Sequence, residues 1–160
     1  MNPDELVIRP YRESDRGRLK ELTIASFVNV SIDRNVEATF GLMGGTTWQE
    51  RKAAHIDDDI AANATGILVA EQAGEIIGYI TTTIDRHTKL GRIPNMAVDE
   101  RFRRRGIGAR LIEASLAYLR GEGMTHAKIE TLEQNAVGMH LYPKMGFVEV
   151  ARQVHFVRKL

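Results

Sequence analysis

Apolar and polar positions along the chain switch between two periods. Leu6-Val7-Ile8-Arg9 is a short β-prone run ended by Pro10, and residues 13–22 carry Leu19 and Leu22 among charged neighbours, so a strand followed by a helix is predicted. Residues 23–47 lose the pattern, with Phe27, Phe40 and Met43 scattered among Gly41, Gly44 and Gly45. Such a stretch predicts adaptable loops over a site. Helical spacing returns over 48–62. Residues 67–70 and 76–84 are both β-rich and flank Gln72-Ala73-Gly74, which predicts an antiparallel hairpin.

Residues 92–98 form the next expected strand, yet Pro94 cannot donate to a ladder, so this strand is expected to be bulged or incompletely paired on one side. Over 107–120, Ile112, Leu116 and Leu119 recur at helical spacing, and Gly121 and Gly123 supply a stop. A strand over 127–132, a helical turn region over 135–144 and a final strand over 147–157 complete the pattern. The order β-α-α-β-β-β-α-β-α-β predicts one mixed α/β sheet with flanking helices, not a run of parallel β-α-β units.

The 160 residues and 43% hydrophobic content suit one core, so one domain spanning 1–160 is expected. Twenty-two Lys plus Arg against twenty-one Asp plus Glu leave a formal charge of +1, and no global field draws the chain to nucleic acid or an anionic membrane. No apolar window approaches the ~18 residues of a spanning helix, and Asp4 and Glu5 stand where a signal peptide carries basic and then apolar residues. A soluble, cytoplasmic protein with no membrane partner is expected. There is no cysteine, so disulfides, thiolate metal sites and a cysteine nucleophile are excluded. The histidines and Asp57-Asp58-Asp59 have no recognised ligand spacing, and no metal is expected.

Chemistry concentrates after the interrupted strand. Val98-Asp99-Glu100-Arg101-Phe102-Arg103-Arg104-Arg105-Gly106-Ile107-Gly108-Ala109 reads as a strand end, a basic glycine-containing turn and a helix start. Free amides at a helix N-terminus, the positive end of its dipole and glycines that admit an oxygen closely together suit phosphate. The turn is neither a P-loop, since no Gly-Lys-Ser/Thr follows, nor a dinucleotide fingerprint, since Ala109 directly follows the second glycine. A solvated basic turn that merely caps a helix uses the same residues.

Context separates these readings. Arg-x-x-Gly-x-Gly at 103–108, preceded by Met96-Ala97-Val98 and followed by Asn135 and then Leu141-Tyr142-Pro143-Lys144-Met145-Gly146-Phe147, resembles the GCN5-related N-acetyltransferase (GNAT) superfamily. The resemblance covers 92–147, while the first 65 residues hold no motif of comparable specificity. It implies a mostly antiparallel sheet with a splayed, bulged fourth strand and an acetyl-CoA site at a V-shaped opening between the fourth and fifth strands. The resemblance assigns Met96, Ala97 and Val98 to the pantetheine arm, and Arg103, Arg104, Arg105, Gly106, Ile107, Gly108 and Ala109 to the pyrophosphate. A strand released from its neighbour has backbone groups free for a cofactor acting as a surrogate strand.

By the same resemblance Asn135 contacts the cofactor arm, and Tyr142, seven residues on, faces the thioester sulfur. Glu130, five residues before Asn135, corresponds to the proposed base of ribosomal-protein N-terminal acetyltransferases. Strand alternation equally places Glu130 on a solvated face, and Asp85, His87, Asp99 and Glu100 are rival bases. Pro143 disfavours helical geometry at Tyr142. The expected acceptor is a primary amine on a small molecule or peptide, and the resemblance admits a homodimer.

Acyl transfer to an amine needs a neutral nucleophile, stabilisation of the oxyanion and support for the departing thiolate. A lysine amine of pKa ~10.4 is neutral about once in 2,500 molecules at pH 7, whereas an α-amine near ~7.8 is neutral more than about a tenth of the time. A modest base or water chain then suffices. Full proton transfer from tyrosine (~10) to the thiolate (~8.5) is uphill by about 2 kcal/mol, which favours hydrogen-bond donation by Tyr142. Without cysteine, direct attack in a ternary complex is the simplest scheme. Two other classes use the same residues: a GNAT-like CoA-binding sensor or regulatory module, and a nucleic-acid-binding domain using the basic patch over 101–110. Near-neutral charge and the lack of a groove-reading motif weigh against the latter.

Overall fold

The computed structural model describes residues 5–160; Asp4, read above against a signal peptide, lies outside them. Strand β1 (Val7–Pro10) leads into α1 (Arg16–Ser26), α2 (Ile32–Phe40) and α3 (Trp48–Asn63). The hairpin β2 (Leu68–Gln72) and β3 (Glu75–Ile80) follows, then β4 (Thr83–Asp85), β5 (Leu90–Ile93) and β6 (Met96–Val98). Helix α4 (Ile107–Gly121), strand β7 (His126–Ile129) and helix α5 (Ala136–Lys144) complete the elements. Among the described residues no helix is long and apolar enough to cross a membrane.

The strands form two sheets, β1-β2-β3-β6 and β4-β5-β7. Every pairing is antiparallel except β5 with β7. The mixed α/β architecture expected from the pattern and the mostly antiparallel pairing implied by the resemblance are present, with the strands divided between two sheets where the pattern predicted one. The hairpin turn is made by Ala73 and Gly74, both at positive φ (51° and 77°), as a tight connection of two short strands requires.

Two apolar layers sandwich the first sheet. Leu19, Leu22, Ile56, Ile67, Val69, Tyr79 and Ala97 form one, beneath α1 and α3. Ala70, Ile77, Ile80, Ile93, Ile107, Leu111 and Ile112 form the other, beneath α4. Alternation sends Val69 and Ala70 to opposite faces. In β3 the alternation slips by one residue, Ile76 and Tyr79 facing one layer and Ile77 and Ile80 the other, because the ladder has a bulge opposite Ala70 and Glu71. Helix α3 starts with a reciprocal cap: Glu50 N–H donates to Thr47 Oγ1 at 3.2 Å and Thr47 N–H donates to Glu50 Oε2 at 2.7 Å. Such a cap is worth about 1 kcal/mol.

Three expectations are corrected. Residues 32–40 are helical, not irregular, although α2 buries none of its side chains. It is held by polar contacts: Arg51 pairs with Asp33 and Glu37 at 3.4 Å each, and Glu37 accepts the Trp48 N–H. The β-rich run 76–84 is two strands, since the chain leaves the first sheet after Ile80 and joins the second at Thr83. The expected last strand over 147–157 takes part in neither sheet and lies exposed beyond Phe147.

Candidate functional site

The site begins where the expected strand over 92–98 breaks. Pro94 and Asn95 separate β5 from β6, and the two halves belong to different sheets. Strand β5 pairs with β7 up to Ile93 opposite Ile129, whereas among the described residues β6 pairs only with β3. Beyond that last parallel pair the sheets diverge, leaving one edge of β6 open. The phase of the β3–β6 ladder follows from two bonds, Thr81 N–H to Asn95 C=O and Asp99 N–H to Ile77 C=O, both 2.8–2.9 Å. Hydrogen-bonded pairs alternate in an antiparallel ladder, so Asn95, Ala97 and Asp99 direct their backbone groups to β3. Met96 and Val98 direct theirs to the open edge, where the Arg103 guanidinium already reaches the Val98 carbonyl at 3.3 Å. Ala97 is buried, with its backbone spent on Tyr79.

The basic turn joins this edge to α4. Asp99 starts it by accepting from Arg101 N–H at 3.0 Å. Arg104 at φ 63° and Gly106 at φ 76° then reverse the chain into the helix, conformations that favour glycine and cost an arginine strain. The first internal helical bond runs from Arg110 N–H to Gly106 C=O, leaving the amides of Ile107, Gly108 and Ala109 without intrahelical acceptors. The arginines divide into two groups. Arg101 is tied to Asp99 and Glu75, and Arg110 donates to the Leu6 carbonyl at 3.1 Å. Arg103, Arg104 and Arg105 are exposed and, among the described residues, make no ion pair. Arg105 rests on the Phe102 ring at 5.2 Å.

Helix α5 forms the other wall. Asn135 caps it, its Oδ1 accepting from Gly138 N–H at 3.1 Å while its Nδ2 donates to Thr131 Oγ1 at 2.8 Å. Seven residues later Tyr142 stays helical, and Pro143 is accommodated in the last turn. The expected departure from helical geometry at Tyr142 does not occur, because α5 runs through to Lys144. Tyr142 meets Phe147 edge-on at 6.2 Å, and burial alone raises the pKa of its phenol above the usual tyrosine range. Met96, Val98, Ile129, Leu141 and Tyr142 all pack on the same apolar layer. A Cβ at Gly108 would lie 3.4 Å from Leu141 and 3.9 Å from Met96, so the amide-bearing end of α4, the open strand and α5 meet at that glycine.

Glu130 follows the last residue of β7 and stands at the mouth of the divergence. Its side chain is exposed and ion-paired with Lys128 on the same face of the strand. Among the rival bases, Asp99 is held by Arg101 and Arg18, which keep its carboxyl strongly acidic. Asp85 accepts from the His87 and Thr88 amides in its own turn.

Sequence patterning missed the buried polar group beneath the strand break. Lys52 Nζ donates to Asn95 Oδ1 at 2.7 Å, and Asn95 Nδ2 donates to Asp59 Oδ2 at 2.7 Å. Thr81 Oγ1 also donates to Asp59 Oδ2 at 2.7 Å. Lys52 further sits 4.0 Å over the Phe27 ring. Burial pushes the Lys52 ammonium pKa down and the Asp59 carboxyl pKa up. The available signal was spacing: Lys52, Ile56 and Asp59 recur at i, i+4, i+7 and share the buried face of α3.

The acetyltransferase (GNAT) family profile matches residues 32–147. An N-alpha-acetyltransferase from Sulfurisphaera tokodaii is 32% identical over 99 residues, 55% of this chain and 59% of that protein. A mycothiol acetyltransferase from Acidimicrobium ferrooxidans is 32% identical over 98 residues, 59% of this chain and 32% of that protein. The matches thus span between about a third and three-fifths of these relatives. The crystal structure of Ard1 from Thermoplasma volcanium superposes with a TM-score of 0.68 and 27% identity, covering 91% of this chain and 84% of that one.

Proposed function

The chain belongs to the acetyltransferase (GNAT) family, and from that premise we propose that it transfers the acetyl group of acetyl-CoA to a primary amine by direct attack in a ternary complex. The observation that carries the reading is the open edge of β6, with the backbone of Met96 and Val98 turned outward beside the free amides of α4. An extended amide-bearing arm matches the first feature as a surrogate strand. A pyrophosphate matches the second, where Ile107, Gly108 and Ala109 offer N–H groups and Arg103, Arg104 and Arg105 offer unpaired positive charge. The co-substrate supplies an activated thioester; the chain supplies orientation and charge.

In this reading Met96 N–H donates to the acyl oxygen as negative charge develops there, a role in which preorganised backbone donors act strongly. Tyr142 donates to the departing sulfur. Its raised pKa keeps the hydroxyl protonated, consistent with hydrogen-bond donation. Asn135 holds α5 in place, and its second Nδ2 hydrogen, which has no acceptor among the described residues, serves a carbonyl of the cofactor arm. Glu130 receives the amine proton at the mouth of the cleft, directly or through water. The relatives named N-alpha-acetyltransferase make a peptide α-amine the first acceptor to test. The exposed Ile32, Phe40, Leu42 and Met43 offer apolar contact for its side chains.

Isothermal titration with acetyl-CoA, followed by thiol release in the presence of peptides, polyamines, amino acids and aminoglycosides, tests the reading. Saturable binding and amine-dependent release of free CoA are expected. Absence of binding at millimolar acetyl-CoA overturns the assignment, and binding without release for any amine favours a sensor.

A further inference from the structure

The carboxylate at the mouth of the divergence already faces a primary amine. Glu130 Oε1 is ion-paired with Lys128 Nζ, and the two side chains are 66% and 43% exposed. They stand two positions apart on one face of extended chain, so their Cα atoms are separated by about 6.6 Å. The Lys128 side chain therefore runs along β7 toward the point where the sheets part after Ile129.

A second observation accounts for that direction. Arg92 on β5 is the register partner of Lys128. Gly91 and Ile93 are buried and Ala127 and Ile129 partly buried, whereas Arg92 and Lys128 are both exposed on the other face. Like charges directly opposite each other repel, which turns the Lys128 ammonium from Arg92 toward Glu130. The remaining lysines are placed differently. Lys20 is tied to Asp57 at 2.6 Å and Lys52 is buried beneath the strand break. Lys89 lies in a turn, Lys144 ends α5 and Lys159 lies beyond the last helix. Among the described residues, Lys128 is the lysine that pairs with Glu130.

We propose that Lys128 is itself an acceptor, which the chain acetylates in cis from acetyl-CoA held at β6. The step rests on the proposed function, because it uses the same cleft and the same groups. The Lys128 ammonium gives one proton to Glu130, which passes it to solvent. The free amine attacks the thioester carbonyl; an N–C bond forms and the C–S bond breaks. The nitrogen then loses its second proton, and the thiolate, supported by the Tyr142 hydroxyl, takes up a proton and leaves as free CoA. An amine tethered beside its base meets the thioester at high effective concentration, which offsets the small neutral fraction of a lysine. Acetylation removes the charge, ends the repulsion from Arg92 and breaks the pair with Glu130.

The test incubates the full chain with acetyl-CoA and no added amine, and follows it by intact mass spectrometry and peptide mapping. One acetyl group per chain, on Lys128, is expected, at a rate independent of chain concentration. Heat-unfolded chain gives the chemical background, which Lys128 in the folded chain should exceed by at least about tenfold. Lys128→Arg should lose the modification while binding acetyl-CoA with the parent affinity by calorimetry. Tyr142→Phe should slow it by about 10²-fold. An unmodified Lys128 in a chain that binds acetyl-CoA overturns the proposal, and thiol release by that same chain with an added amine leaves the proposed function standing. Absence of acetyl-CoA binding overturns both. Acetylation spread over several lysines at the rates of the unfolded chain, or a Lys128 rate that rises with chain concentration, also overturns the proposal.

Discussion

Replacing Asp59 with alanine tests whether the polar group under the strand break holds the cleft in shape. Asp59 is 7% exposed and accepts two hydrogen bonds of 2.7 Å, from Thr81 Oγ1 and Asn95 Nδ2. Its removal leaves the Asn95 amide without that acceptor and takes away one of the two carboxylates, Asp33 and Asp59, that favour the buried Lys52 ammonium, while the Thr81 hydroxyl hydrogen keeps only the Asn95 carbonyl at 3.3 Å. Hydrogen bonds to a charged acceptor are worth about 1.5–3 kcal/mol each, so a loss of about 3–5 kcal/mol is expected. At about 2–4 °C per kcal/mol for a chain of this size, the melting temperature should fall by about 10 °C. Trp48, the single tryptophan and 7% exposed, reports the transition by fluorescence. Lys52→Met in the Asp59→Ala background should cost less than it does alone, because the cation it removes has already lost the share of its compensation that Asp59 supplies. Losses that add within about 0.5 kcal/mol, or a shift below 2 °C, refute the coupled network. Because Asn95 directly precedes Met96, the KM for acetyl-CoA should rise in Asp59→Ala when measured well below its melting temperature; an unchanged KM separates the network from the cleft.

Tyr142→Phe should retain acetyl-CoA affinity and lose turnover by about 10²-fold if the hydroxyl supports the leaving thiolate; unchanged single-turnover rates remove it from the chemistry. Arg104→Glu with Arg105→Glu should weaken CoA binding by about tenfold or more at unchanged melting temperature, and calorimetry with dephospho-CoA locates the 3′-phosphate contact. Glu130→Gln should lower the rate most below the pKa of the acceptor amine, and an unaltered pH profile assigns the proton to water. His55 lies beside Lys52 and near Asp33, Asp58 and Asp59, and burial followed by the Lys52 charge lowers its pKa. A lowered folded-state value means that its stabilising contribution is present above ~6.5 and lost as pH falls through the folded value. His55→Gln should therefore flatten the fall in melting temperature on acidification below pH 6.5.

Periodicity was most informative where one face of an element is buried and least where polar contacts hold it. Helix α4 was legible because Leu111, Ile112 and Leu119 mark a buried stripe, and the β2–β3 hairpin because its β-rich runs, with Val69 on one layer and Ile77 and Ile80 on the other, flank the turn at Ala73 and Gly74. In α2 the apolar residues Ile32, Val36 and Phe40 do recur every four positions, but the helix buries none of them fully, and its attachment through Arg51 and Glu37 has no hydrophobic signature. The last expected strand has the right alternation but no strand partner among the described residues, since a period of two predicts conformation without specifying which edge will receive it. At the site, the basic turn and helix start from Arg103 to Ala109 were legible, because glycine and helix-start chemistry are local. The Lys52–Asn95–Asp59 contacts span 36–43 residues and depend on the packing of α3 against the strand break.

That network also closes the inner side of the break and leaves open the backbone groups that the proposed function assigns to the cofactor. Interrupting a strand frees backbone donors and acceptors that cost free energy when buried. Here Thr81 Oγ1 accepts the Asn95 N–H at 3.0 Å, and Thr81 N–H donates to the Asn95 carbonyl at 2.9 Å. Pro94 has no N–H to leave unsatisfied. The interruption is thus closed on its inner side by one threonine and one proline, and the Asn95 side chain is fixed by Lys52 and Asp59. The outward groups of Met96 and Val98 are left open on a backbone anchored from both ends, by Asn95 before them and by Asp99, bound to Arg18 and Arg101, after them. A donor rigid at both flanks needs little reorganisation when charge develops against it, the condition under which a single backbone N–H stabilises an oxyanion strongly.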